Sequence, residues 1–202
     1  SCIVLRWQRN INTCTIILSD KELTYDGGEI EPLIAVKYKE SILKSGDDYV
    51  YSYSNNIKPG TATITVYGRG KYSDSKTAKF TIEMAKPKLM FEESEVVKLL
   101  SGKEFTNKLS VTTDGLVTYK SSNTSVATVN NKSGKVTIKG VGQTIITATA
   151  AKGVNYKSGS TNFTLTVIRQ DDMSDNVKIK VGDGVKATFN KTTGTIELYS
   201  DE

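Results

Sequence analysis

Ser121–Ala148 reads SSNTSVATVNNKSGKVTIKGVGQTIITA, and this stretch decides the fold. Short β-branched runs alternate with turn residues. Val126–Val129 is followed by Asn130–Gly134, Val136–Ile138 by Gly140–Gly142, and a longer run then extends from Thr144 to Ala150. Valine, isoleucine and threonine fit a pleated, half-buried surface, while Asn, Ser and Gly supply turns. No helical period runs through the stretch. It predicts antiparallel strands of a small β-sandwich.

The same pattern continues on both sides. Upstream, Cys14–Leu18, Leu33–Val36, Tyr49–Tyr53, Thr61–Tyr67 and Thr77–Ile82 are separated by Asp26-Gly27-Gly28, Lys44–Asp48, Asn55-Asn56 and Lys58-Pro59-Gly60. About seven strands with turn signals every 8–12 residues is the sandwich pattern. Gly60–Thr65 parallels Gly142–Thr147, and each is followed by a tyrosine, Tyr72 or Tyr156, and a closing strand, Phe80–Ile82 or Phe163–Leu165. This echo points to one duplicated type of module.

The expected organisation is an all-β chain of two tandem immunoglobulin-like β-sandwiches plus a short C-terminal β segment. Residues 1–13 form an extension in which Ile3, Leu5 and Trp7 alternate as in a strand. The first sandwich spans 14–83 and the second 89–168, joined by linker 84–88, which Pro87 makes semi-rigid. In the second, Val96–Leu100 and Phe105–Val111 are the leading strands. A polar linker, 169–176, leads to residues 177–202. Three short strands cannot bury enough area alone, so that tail either docks on the second sandwich or opens a third module.

A family resemblance rests on these motifs. Ser121-Ser122-Asn123, Val126-Ala127-Thr128-Val129, Gly134-Lys135-Val136, Gly140-Val141-Gly142 and Ile146-Thr147-Ala148 resemble the signature of bacterial immunoglobulin-like domains of group 2, over about residues 87–168. Such modules occur in intimin- and invasin-type surface adhesins. The frame Tyr25-Asp26-Gly27, Asp48-Tyr49, Tyr53-Ser54-Asn55-Asn56, Gly60-Thr61-Ala62, Gly68–Tyr72 and Phe80-Thr81-Ile82 resembles another bacterial Ig-like repeat, found in tandem on surface proteins of Gram-positive gut bacteria, over about residues 14–82. Residues 187–198, ATFNKTTGTIEL, are loosely similar to the lead-in strands of bacterial leucine-rich surface repeats. The resemblance implies an extracellular, cell-surface or secreted segment, a spacer or adhesion module, with export and anchoring elements outside these residues. The rival reading is an accessory module that targets glycans or matrix for an attached domain. The partner class implied is a host or bacterial surface glycan or protein, and the segment itself is expected to be monomeric.

Composition narrows the chemistry. The chain has no histidine, which removes Ser-His-Asp and Cys-His nucleophilic sites and the commonest general base. The acid pairs Asp47-Asp48, Glu92-Glu93 and Asp171-Asp172 are adjacent, so on a strand they face opposite sides rather than one cleft. No enzyme and no cofactor are expected. The net charge of +5 comes mainly from lysines that recur along most strands and turns, with arginine only at Arg6, Arg9, Arg69 and Arg169. Nucleic-acid binders concentrate such charge on one element, so no nucleic-acid partner is expected. Gly68-Arg69-Gly70-Lys71 lacks the spacing and following helix of a phosphate loop and predicts a hairpin turn. No run approaches the roughly 18 apolar residues of a spanning helix.

Three candidate sites stand. Asp171, Asp172 and Asp175, with Asn176, could offer oxygens to calcium, or form a hydrated linker. Tyr49, Tyr51 and Tyr53 share one face of a strand. They read as a sugar-stacking platform or as core; the resembling repeat is also aromatic at the Tyr49 and Tyr53 positions, on a face that packs inside. Cys2 and Cys14 are a disulfide candidate, closing a loop worth roughly 3 kcal/mol if unstrained.

Overall fold

The computed structural model describes residues 7–170, 179–182, 185–190 and 195–200. The chain divides into two compact units between Ala85 and Lys86. Both are built from strands in the immunoglobulin-like manner; among the described residues the one helical element is the 3-10 turn Ile11–Thr13.

The first unit contains β1 (Arg9–Asn10), β2 (Thr15–Leu18), β3 (Glu22–Thr24), β4 (Ile34–Tyr38), β5 (Ser41–Ile42), β6 (Tyr49–Ser54), β7 (Gly60–Gly68), β8 (Tyr72–Ser73) and β9 (Ser75–Glu83). One sheet has the order β3-β9-β7-β6 and the other β2-β4-β5. Alternation on β7 builds the core directly. Ala62, Ile64 and Val66 are fully buried, while Thr61, Thr63, Thr65 and Tyr67 turn away from them. Ile64, Phe80 and Ile82 pack with Leu18 and Ile30, and Val66 with Val36, Tyr49 and Tyr72. The 3-10 turn is capped by the Asn10 side chain, which accepts from the Asn12 N–H at 2.8 Å, and places Ile11 in the second of these clusters. Trp7 departs from the expected strand. It precedes β1 and stands 97% exposed, because among the described residues the chain first joins a sheet at Arg9, which pairs parallel with Tyr72. Ile3 and Leu5 lie outside the described residues.

The second unit contains β10 (Lys88–Phe91), β11 (Glu95–Leu99), β12 (Glu104–Phe105), β13 (Leu109–Thr112), β14 (Val117–Ser121), β15 (Ala127–Val129), β16 (Val136–Ile138), β17 (Gly142–Ala150) and β18 (Gly159–Ile168), followed by β19 (Ile179–Gly182), β20 (Val185–Asn190) and β21 (Thr195–Ser200). The sheet β11-β18-β17-β14 faces the strands β12-β16-β15 and β10-β13 across a core centred on Phe163, whose ring meets Phe91 edge-on at 4.8 Å. The expected single run Phe105–Val111 is two strands in different sheets. Asn107 divides it: 6% exposed, it accepts from the Glu93 N–H and donates to the Glu93 carbonyl, so the chain turns there instead of continuing a ladder. Strands β19, β20 and β21 form their own antiparallel sheet, and Ile196 packs against Ile168, as do Val97 and Leu99.

In both units the strand that enters the larger sheet runs parallel to the strand that leaves it. β3 pairs with β9 from Glu22↔Thr81 to Thr24↔Glu83, and β11 with β18 from Glu95↔Thr164 to Leu99↔Ile168.

Candidate functional site

The signature stretch proves to be a structural hub. Thr144, 2% exposed, accepts from the Asn123 N–H at 2.9 Å and shares hydrogen bonds with the hydroxyls of Ser121 at 2.8 Å and Ser122 at 3.2 Å. Ser122 in turn accepts from the Ile145 N–H. These residues knit the end of β14 to β17. Asn123 then opens the next turn, its side chain accepting from the Ser125 N–H. Gly140 is required by space, since a Cβ there would sit 2.7 Å from the Ser125 carbonyl oxygen. The residues that make the motif recognisable are thus committed to folding.

The tyrosines of β6 form a ladder on the inward side of the sheet's free edge. Tyr49 is 3% exposed, within the cluster of Val36 and Val66. Tyr53 packs on the cluster of Ile64 and Phe80, meets the Phe80 ring edge-on at 6.3 Å, and donates its hydroxyl to the Pro32 carbonyl at 2.6 Å. Burial pushes both phenols above their ordinary pKa. Tyr51 lies between them, with ring centroids 6.3 Å from Tyr49 and 5.7 Å from Tyr53. It is 43% exposed, because among the described residues no strand lies beyond β6 to close the sandwich at its rim. Core packing therefore describes Tyr49 and Tyr53, and Tyr51 is partly open to solvent.

A second surface feature escaped sequence reasoning. A depression of about 430 Å3 is lined by Trp7, Lys44, Asp47, Asp48, Gly70 and Lys71. Gln8 donates to the Gly70 carbonyl, and Gly70 itself sits at φ +59° in the turn after β7. Lys44 and Asp47 pair at 2.7 Å, which holds the Asp47 carboxyl below and the Lys44 amine above their ordinary values. Asp48 accepts from the Lys44 N–H at 2.9 Å. Neither member of this acid pair is left as a bare carboxylate facing a cleft. No spacing signal joins Trp7 to residues forty positions away, so only the fold could reveal the grouping.

Cys14 is a free thiol, 1% exposed, and burial pushes its pKa up. Cys2 lies outside the described residues, as do Asp171, Asp172, Asp175 and Asn176. Among the described residues no group of three or more acidic or cysteine side chains is placed to hold a metal, and no helix is long and apolar enough to cross a membrane.

Residues 101–152, which run from the turn between β11 and β12 to just beyond the end of β17, match the family described as the intimin immunoglobulin-like domain. The match supports a bacterial immunoglobulin-like family for this stretch. No curated protein matches the chain. Among solved structures, domains 1–6 of the surface layer protein SbsC are similar at 19% identity and a TM-score of 0.40, over 94% of this chain and 32% of that one. The C-terminal fragment of intimin, solved with the intimin-binding domain of its translocated receptor, is similar at 15% identity and a TM-score of 0.32, over 76% and 63%. Drosophila N-cadherin EC1-4 is similar at 9% identity and 0.35, over 78% and 51%. The chain spans about a third of the length of the surface layer structures.

Proposed function

We propose that this chain is a non-enzymatic, extracellular segment of a bacterial cell-surface protein, a structural spacer or adhesion module. Its second unit would be of the group 2 immunoglobulin-like type and its first a related tandem repeat. The observation that carries the reading is the parallel pairing of entering and leaving strands, β3 with β9 and β11 with β18. Tension applied through the two ends of a unit pulls such a pair lengthwise. All its hydrogen bonds are then loaded in shear together, whereas a hairpin pulled at its open end unzips one bond at a time. The intimin-type match over residues 101–152 supports the same reading.

Force spectroscopy on the whole chain tests it. The expected record is two unfolding events, each releasing roughly 3.6 Å per residue of its unit. The N-to-C pulling direction should resist more force than handles placed across the β6–β7 hairpin. Equal forces in the two directions would remove the mechanical basis.

One observation favours the glycan- or matrix-binding alternative: Tyr51 and Trp7 are exposed aromatic rings. A binding screen against glycans, mucin, matrix proteins and cell wall discriminates. A saturable hit that persists at about 0.3 M salt, where lysine-driven attraction is largely screened, would favour that reading.

A further inference from the structure

Strand β6 ends its sheet, and its hydrogen-bond parity can be read from its neighbours. Arg69 donates its N–H to the Asp48 carbonyl at 2.8 Å, whereas Gly68, opposite Tyr49, donates to Asp74 instead. On the outer side the Gly46 N–H donates to the Tyr49 carbonyl at 2.8 Å. Both N–H and C=O of a residue in an antiparallel ladder point to the same side, and the side alternates. Val50, Ser52 and Ser54 therefore turn their main chain toward β7, and Tyr49, Tyr51 and Tyr53 turn theirs outward. Tyr49 is covered by the 44–48 loop. Among the described residues, nothing bonds the outward main-chain groups of Tyr51 and Tyr53.

The second unit shows how the same edge is closed. Its counterpart, β14, carries Tyr119 at the matching place, and the Tyr119 N–H donates to the Asn131 carbonyl of the β15–β16 turn at 3.0 Å. Gly134 of that turn lies against the Tyr119 ring, and Lys120 puts a charge on the strand. β6 has none of these guards. Its sequence, YVYSYS, holds no charge and no proline, and its register with β7 runs without a bulge. An edge of this kind is a template for a further strand.

We infer that β6 pairs antiparallel with β6 of a second copy of this chain. The strand is its own complement about a two-fold axis at Ser52. Tyr51 then faces Tyr53 of the second copy, and each of the two Tyr51–Tyr53 pairs exchanges two main-chain hydrogen bonds. No like charges meet. One strand pair buries less than the roughly 1,200 Å2 of a stable complex, so the contact is weak between free molecules. It strengthens among copies held side by side, where effective concentration is high. This replaces the expected monomeric segment with a laterally self-associating one, and it holds whether the chain is a spacer or a binding module.

At the two-fold, Ser52 meets Ser52 of the second copy as a non-hydrogen-bonded pair, with Cα atoms about 4.5 Å apart, inside disulfide range. The test uses the full chain with Cys2→Ser, carrying either Ser52→Cys or Thr81→Cys. Thr81 is exposed on the same outer face but lies on a central strand. Under mild oxidation Ser52→Cys should cross-link to dimer at least roughly tenfold faster than Thr81→Cys. Sedimentation equilibrium of the natural chain should show association that Ser52→Lys, which opposes two charges at the axis, abolishes while the CD spectrum is unchanged. Equal cross-linking rates overturn the inference. So does a natural chain still monomeric at about 1 mM, or an edge that takes up a foreign extended peptide without pairing with itself.

Discussion

Replacing Thr144 by valine removes one hydroxyl from the hub that ties β14 to β17, with little change of shape. The Asn123 N–H loses its acceptor at 2.9 Å, and the hydroxyls of Ser121 and Ser122 lose a partner. Thr144 and Ser121 are buried, whereas Ser122 and Asn123 are exposed, so water can replace only part of what the hydroxyl supplied. The part-buried Asn123 N–H contributes about 0.5–1.5 kcal/mol, and the buried hydroxyl contact with Ser121 about as much again. The expected loss is about 1–3 kcal/mol against a domain's usual 5–15 kcal/mol, and it falls on the second unit alone. Trp7 is blind to the change, being solvent-exposed in the first unit. The assay is therefore urea unfolding of the full chain by far-UV CD, with hydrogen exchange by mass spectrometry to follow peptides covering β17. Thr147→Val, on the outward side of the same strand, is the control and should stay within about 0.5 kcal/mol. If Thr144→Val costs no more than Thr147→Val, the hub is not what holds this corner.

The tyrosine ladder separates by burial: Tyr49→Ala should cost about 3–5 kcal/mol as a large core deletion, and Tyr51→Ala under about 1.5 kcal/mol, both read from urea midpoints. Gly140→Ala forces a methyl onto the Ser125 carbonyl and should lower stability by about 1–3 kcal/mol, whereas Ala at the exposed, outward Thr149 should not. Alkaline pH should destabilise both units. Burial raises Cys14 from an ordinary 9.0, and Tyr49, Tyr53 and Tyr119 from an ordinary 10.0. The folded state then holds these protons longer than the unfolded chain, so stability is full below pH 9 and falls as pH climbs through the raised values. Urea midpoints from pH 7.5 upward check this, and a midpoint flat beyond pH 10 would contradict it.

The alternation of small and β-branched residues on β7 and β17 reports burial almost position by position, which is why the all-β sandwich is legible from the chain alone. Legibility fails where one residue's partner is remote. Asn107 looks like any polar residue inside a mixed run, and only its bonds to the Glu93 backbone reveal that two strands meet there. Trp7 reads as a strand position by alternation but joins no strand. Tyr49, Tyr51 and Tyr53 are equivalent by spacing, yet they range from 3% to 43% exposed because the ladder follows a rim.

The chain alone therefore discloses the longer strands, their inward faces and most turns, since period-two patterning and turn chemistry are local. Only the tertiary structure decided which strands run parallel at the ends of each unit, and that β6 ends its sheet bare while β14 is covered. Main-chain hydrogen-bond partners are chosen by topology over tens of residues, and every residue except proline offers the same donor and acceptor whatever its side chain.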